Sequence, residues 1–141
     1  MVWLTQTDTT VGFLSQDAAS LARVKQRDPS KLFLTALPDL KSLKKRVRVP
    51  KFLHKEIRRA KKRTYILNST AYRVVQNGKH HHFLKRIGWA YSTSANRSNE
   101  GYDEKFCFEN ADVLHLTKDG FSQNEPSSLL KVVRRKSIRL R

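Results

Sequence analysis

LTQTDTTVGFLSQDAASLARVKQRDPSK, residues 4–31, decides how this chain is read. A short apolar strand, Val2-Trp3-Leu4, leads into a turn rich in Thr and Asp and closed by Gly12. A helix is expected next, with Leu14, Ala18, Leu21, Ala22 and Val24 on its apolar side. Asp17 is placed to cap it, its carboxylate accepting from free backbone N–H groups. Lys25 and Arg27 would stand about 200° apart on a helix, so they converge only if the helix stops near them. Asp28-Pro29 supplies that stop. The unit then carries small hydroxyls at one end and Lys25, Arg27 and Lys31 at the other. Such an arrangement suits a ligand with a polar body and phosphates; a surface strand and helix with solvated charges fits the same residues.

The 141 residues have the length of one domain, residues 1–141, and 38% of them are apolar, enough for a modest core. No apolar run approaches the ~20 residues that span a bilayer. The opening MVWLTQTD has neither a basic start nor an apolar signal core, so export is not expected. Cys107 is the single cysteine, which excludes an internal disulfide and a multi-cysteine zinc site. A reducing cytoplasm is the simplest setting. Lys and Arg total 29 against 12 acids, a net charge of +17. That is more than solubility requires and points to a polyanion, most simply nucleic acid. A membrane surface fits less well, because no helix offers a large aromatic face.

The charge is unevenly spread. Residues 1–22 hold no Lys or Arg, so the opening strand and turn are expected to be buried or to line a cleft. Leu32–Ala36 reads as a strand and Pro38–Lys45 as a short helix. Residues 41–63 then hold twelve cations and one acid, Glu56. Within them RVRVP suits an exposed edge or loop, and KFLHKEIRRAKKR places Phe52, Leu53, Ile57 and Ala60 at helical spacing. With so few internal partners, Arg58, Arg59, Lys61, Lys62 and Arg63 are expected to form a wall that binds RNA, although a solvated helix reads the same way. Thr64–Leu67 and Ala71–Val75 are strand candidates, and Asn77-Gly78 has a hairpin signature. Lys79-His80-His81-His82 follows and leads to a short helix ending near Gly88. Consecutive histidines cannot all face one ion, so no metal site is expected there. Residues 89–98 form a strand entering a loop of small polar residues, whose backbone N–H groups could approach a phosphate. Residues 99–125 hold seven acids and two Lys, anchored by Phe106, Phe108, Val113 and Leu116. After Leu130 come six cations and no acid, on one or two last strands. No Walker loop, G-x-G-x-x-G or Ser-His-Asp spacing is present.

Three motifs in order resemble the YrdC/YciO family, whose best-known members are threonylcarbamoyl-adenylate synthases. Thr7-Asp8-Thr9-Thr10-Val11-Gly12 resembles the P-T-[DE]-T-x-Y-G-L turn. Lys25-Gln26-Arg27 with Lys31 resembles K-x-R-x-x-x-K, and Ser92-Thr93-Ser94-Ala95-Asn96-Arg97-Ser98 resembles S-T-S-A-N-x-S-G. Shorter matches keep the order: Tyr65-Ile66-Leu67, Tyr72-Arg73-Val74, Pro126-Ser127-Ser128 and Ile138-Arg139. The resemblance covers nearly the whole chain and describes a short, basic variant. Gln6 replaces the motif's proline and Val11 its aromatic. Arg59–Thr64 replaces P-G-P-x-T, and Asn99 stands for the last glycine. The first motif lies close to residue 1, where family members carry a helix and a strand ahead of it.

The resemblance implies an α/β fold, a twisted mixed sheet with flanking helices and a basic cleft. It also implies a reaction in which threonine and bicarbonate form a carbamate that attacks the α-phosphorus of ATP, with Mg2+ accompanying the nucleotide. Pyrophosphate leaves, and the adenylate passes to a threonylcarbamoyl transferase that modifies tRNA. Lys25 and Arg27 would be catalytic, meeting charge that migrates onto pyrophosphate. Arg73, Ser94, Asn96, Ser127 and Arg139 would complete the nucleotide set, with Thr9 and Lys31 on the threonine side. The other outcome expected of such a sequence is a non-catalytic protein of the same fold that binds double-stranded RNA or tRNA.

Overall fold

The computed structural model describes residues 1–141. The quoted stretch contains two strands before its helix. β1 (Val2–Gln6) and β2 (Val11–Ser15) pair antiparallel, Val2 opposite Ser15 and Gln6 opposite Val11. The expected helix does not reach back to Leu14, and Gly12 does not close the turn; both lie inside β2. All five residues of β2 are buried, so the strand reads as a continuous apolar run without the polar alternation of a half-exposed one. α1 (Ala18–Lys25) starts where expected, with the Asp17 carboxylate accepting from the Ala19 N–H at 3.1 Å. It stops at Gln26, which adopts a left-handed φ of 51° two residues before Asp28.

The remaining elements are β3 (Leu34–Leu37), α2 (Leu40–Lys44), α3 (Lys51–Arg59), β4 (Arg63–Leu67), β5 (Thr70–Val74), α4 (Gly78–Ile87), β6 (Ala90–Ser94), α5 (Glu104–Asn110), β7 (Val113–His115), β8 (Ser128–Val133) and β9 (Lys136–Arg139). They build one twisted mixed sheet in the order β7-β1-β2-β6-β3-β5-β4-β8-β9. Its parallel joints are β1–β7, β3–β5 and β4–β8. Asn77-Gly78 is not a hairpin. Gly78, at a φ of 84°, opens α4, and the three histidines sit in the first turns of that helix.

Side chains alternate across the sheet. α1 and α5 cover Val2, Leu4, Val11 and Phe13 on one face, while α4 sets Phe83 and Leu84 against Trp3 and Leu14 on the other. α2 and α3 bury Leu43, Leu53 and Ile57 against Leu37, Tyr65 and Val74. Within the acidic segment Phe106 is buried as expected, but Phe108 on α5 is exposed, and so are Val113 and Leu116, because β7 is an edge strand of three residues. No helix is long and apolar enough to cross a membrane.

Gly12 fixes how closely the first turn sits on β6. A Cβ there would lie 2.9 Å from the Thr7 methyl and 3.0 Å from the Thr93 carbonyl oxygen. Thr7 cannot swing aside freely, since its hydroxyl donates to the Thr10 carbonyl at 2.6 Å. Gly12→Ala is therefore expected to lower stability by about 1–3 kcal/mol, the usual cost of overpacking; urea unfolding of the two proteins measures it.

Candidate functional site

Arg73, on β5, is buried and spends its whole guanidinium on the protein. Nε donates to Thr64 Oγ1 at 3.1 Å and Nη2 to Ser127 Oγ at 2.9 Å. Nη1 donates to Asp8 Oδ1 and to Thr9 Oγ1, each at 3.1 Å. One side chain thus ties together β4, β5, the Thr7–Thr10 turn and the start of β8. Thr7 Oγ1 staples the turn from within, accepting from the N–H groups of Thr9 and Thr10 at 3.2 Å. Burial would raise the pKa of Asp8, but the Arg73 guanidinium at 3.1 Å counters it, and the carboxyl sits below its ordinary range.

His80 comes from α4 and is 4% exposed. Burial pushes its pKa down, so the ring is neutral. Its Nδ1 accepts from the Asp8 backbone N–H at 3.2 Å, which leaves the ring proton on Nε2. The 3.3 Å approach of Nδ1 to the Asp8 carboxylate is therefore a contact of a neutral ring, not an ion pair. Nε2 is buried and meets no partner.

Beside Arg73 lies a cavity of about 240 Å³. Arg27, Arg73 and Arg141 supply its cations, and Thr7, Thr9, Thr10, Ser92, Thr93 and Ser94 its hydroxyls; no carboxylate lines it. Arg27 reaches it because α1 ends where it does. Its Nη2 donates to the Leu32 carbonyl at 3.1 Å, its guanidinium lies 4.7 Å over the Phe33 ring, and its buried Nε has no partner. Lys25 is 4% exposed and lies outside the cavity wall. Its Nζ donates to the Ser94 carbonyl at 3.0 Å and to Asn96 Oδ1 at 2.5 Å, and Ser94 Oγ donates to the same Asn96 oxygen at 2.8 Å. Segments 69 and 71 residues apart are thereby joined. Burial first, and Arg27 second, lower the Lys25 pKa to about 8.

The other expected site residues divide. Thr9 and Ser127 belong to the Arg73 network, and Thr9 also faces the cavity. Lys31 is exposed in the turn after α1 and lies outside it. Arg139 is displaced from the expected role: it is exposed on β9, and its Nε bonds only to the Arg141 carbonyl. Arg141 is the cation that reaches the cavity, with its Nε on the Ser127 carbonyl at 2.9 Å. The alternation of a strand explains the miss, since residues 139 and 141 share a side. Arg58, Arg59, Lys61 and Lys62 line a second cavity of about 640 Å³, while Arg63 stands apart in a 3.0 Å pair with Glu56. His80 was not singled out from its run of three, although His80, Phe83, Leu84 and Ile87 have the spacing of a buried helix face.

No protein-family model matches the sequence, and no curated protein does. Solved structures do match. P. abyssi Sua5, in a doubly substituted form, superposes with a TM-score of 0.85 and 12% identity over 99% of this chain and 52% of that one. Its complex with L-threonine gives 0.82 and 13%, over 99% and 49%. E. coli YciO gives 0.78 and 15%, over 99% and 82%. The fold is YrdC-like. Full-length HypF in a phosphate- and nucleotide-bound form contains the same YrdC-like unit, with a TM-score of 0.74, 18% identity and coverage of 99% and 26%. The chain spans about half the length of P. abyssi Sua5.

Lys25 gives this YrdC-like site a pH signature. Its proton is held to about pH 8 in the folded chain and to 10.5 ordinarily. Between those values the unfolded chain binds the extra proton, so this group makes stability rise with pH. Cys107, pushed by burial from 9.0 to about 11, acts oppositely from pH 9 upward. Lys25→Met should therefore remove a rise of at most about 3 kcal/mol between pH 8 and 10.5. Chemical denaturation of both proteins across that range checks it, and parallel curves would refute the assignment.

Proposed function

We propose that the chain is a threonylcarbamoyl-adenylate synthase, combining threonine, bicarbonate and ATP into threonylcarbamoyl-AMP and pyrophosphate. The observation that carries this reading is a cavity without Asp or Glu, walled by arginines and hydroxyls, whose Ser94 is joined to Lys25 and Asn96. In support, P. abyssi Sua5, about half of which has this fold, forms a complex with L-threonine, and full-length HypF, about a quarter of which has it, has a phosphate- and nucleotide-bound form.

The chemistry asks little of the protein beyond placement. The carbamate oxygen attacks the α-phosphorus, the bond from that phosphorus to the bridging oxygen breaks, and pyrophosphate leaves with the electron pair. No protein nucleophile is required, so positioning and charge stabilisation provide the acceleration. Arg27, with a free Nε and a planar fork, would grip phosphate oxygens, and Arg141 would meet the charge that builds on pyrophosphate. Lys25 would act one step back, holding the Ser94–Asn96 loop in place. Thr9 and its neighbouring hydroxyls would take the threonine side. The cavity offers no carboxylate, and no group of three or more His, Cys, Asp or Glu side chains is placed to hold a metal ion. The donor set therefore does not fit a protein-held Mg2+. The product would pass to a transferase acting on tRNA, which places the work in the cytoplasm.

A specific observation favours a second reading, an RNA-binding protein of this fold without the chemistry. Lys25 and Arg73 are fully engaged by protein acceptors, whereas Arg58, Arg59, Lys61 and Lys62 have no acidic partner.

Three measurements separate the readings. Pyrophosphate release from ATP and bicarbonate should be accelerated by threonine, with serine disfavoured by about 1–3 kcal/mol for its missing methyl and valine more strongly for leaving a polar partner unpaired. Arg27→Ala should weaken ATP binding by about 1.5–3 kcal/mol in calorimetry. Release no faster with threonine than without it ends the synthase reading. For RNA, replacing Lys61 and Lys62 with Ala should reduce the slope of log affinity against log salt by roughly 1.5, at about 0.7–0.9 for each phosphate that is no longer neutralised. An unaltered salt slope would remove the RNA wall.

A further inference from the structure

The larger cavity, about 640 Å³, is built from parts that the Arg27 cavity lacks. α4 points its N-terminus into it, since Asn77, Gly78, Lys79 and His80 all line it. The first N–H groups of any helix have no intrahelical acceptor. Here the N-cap Asn77 makes no side-chain capping bond, and the first turn carries no acid. This leaves bare donors and the positive end of a ten-residue helix dipole facing the cavity.

A second observation, independent of the helix end, points the same way. His80 lines this cavity, is 4% exposed, and has a buried Nε2 with no protein partner. Because Nδ1 already accepts from Asp8, Nε2 carries the proton and lacks only an acceptor. Across from α4 stand Arg58, Arg59, Lys61 and Lys62, none of them in an ion pair; the pairs formed nearby are Arg63–Glu56 and Lys79–Asp119. The two wall carboxylates are spoken for, Asp8 by Arg73 and Asp119 by Lys79. Only Ala60, Val74 and Val75 are apolar, so an oily ligand finds little to bind. The volume falls in the range of small-molecule sites and exceeds what a bare phosphate needs.

We infer that this cavity is a second anion site, which seats the terminal phosphate of a nucleotide, free or at the 5′ end of an RNA strand, on the N-terminus of α4. The phosphate oxygens accept from the first-turn N–H groups and from the side chains of Arg58, Lys61 and Lys62. The remainder of the nucleotide fills the space lined by Gln6 and Gln76. The inference does not rest on adenylation at the Arg27 cavity, and it would stand if that reaction were absent.

The test is calorimetry on the full chain carrying Arg27→Ala, which weakens binding at the other cavity. AMP should bind, and adenosine should bind at least tenfold more weakly. Asn77→Asp is the decisive variant. A carboxylate there caps the free N–H groups and repels the ligand, so AMP affinity should fall at least tenfold while thermal stability holds or rises. A variant with Arg58, Lys61 and Lys62 changed to Gln should lose AMP to a similar extent. Changing Arg134, Arg135 and Lys136 to Gln on the β8–β9 turn removes the same charge and should leave affinity within twofold. A 5′-phosphorylated RNA octamer that binds more tightly than AMP assigns the ligand to an RNA end; the reverse order assigns it to a free nucleotide. Unchanged AMP affinity in Asn77→Asp, or equal losses in the two triple variants, overturns the site, because binding would then reflect diffuse charge.

Discussion

The ion pair of Arg73 and Asp8 holds this molecule's functional half together. Burying two charges is costly, and the pair is tolerable only because nearly every donor and acceptor around it is met. Arg73 reaches Thr64, Asp8, Thr9 and Ser127, so strands distant in sequence share one guanidinium. A buried pair stripped of one partner typically loses about 3–5 kcal/mol, and Thr7, Thr9 and Arg73 of this network line the small cavity. The Thr7–Thr10 turn keeps its shape because Asp8 is clamped on one side by Arg73 and on the other by His80.

Much of this was legible in the sequence, and the gaps have physical causes. Lys25, Ser94 and Asn96 were grouped by their resemblance to the family's K-x-R and S-T-S-A-N motifs, whereas the direct hydrogen bonds that join them depend on the folded chain. The extent of α1 was legible at its start, where Asp17 caps it, and was overrun at its end, where Gln26 takes a left-handed conformation that ordinarily calls for glycine or asparagine. β2 was hidden because both of its faces are covered, which erases the two-residue period that betrays a strand. Asn77-Gly78 carries a hairpin's residues yet starts a helix, since a positive φ at glycine serves either purpose.

Side-chain roles were harder to read than elements. Lys25 and Arg27 stand two residues apart with similar charge, yet one is a buried tether and the other a cavity wall. The difference is set by the exact residue at which the helix ends, which spacing alone locates only approximately. Arg139 was named from a two-residue motif match, and the last hydrogen bonds of the chain bring Arg141 to the cavity in its place. Among three consecutive histidines only one turns inward, and that choice depends on where α4 begins.

The Thr7–Asp8 turn is a party wall. Thr7 borders both cavities, and Asp8 faces the larger one while its carboxylate is bound to an arginine of the smaller. A ligand on either side that shifts or stiffens this turn changes the free energy of binding on the other. Thermodynamic linkage makes the two effects equal: whatever factor one occupant imposes on its neighbour's affinity, the neighbour imposes in return. With a partition one turn thick, occupancy of one compartment becomes information available to the other, without a subunit interface or a moving domain to carry it.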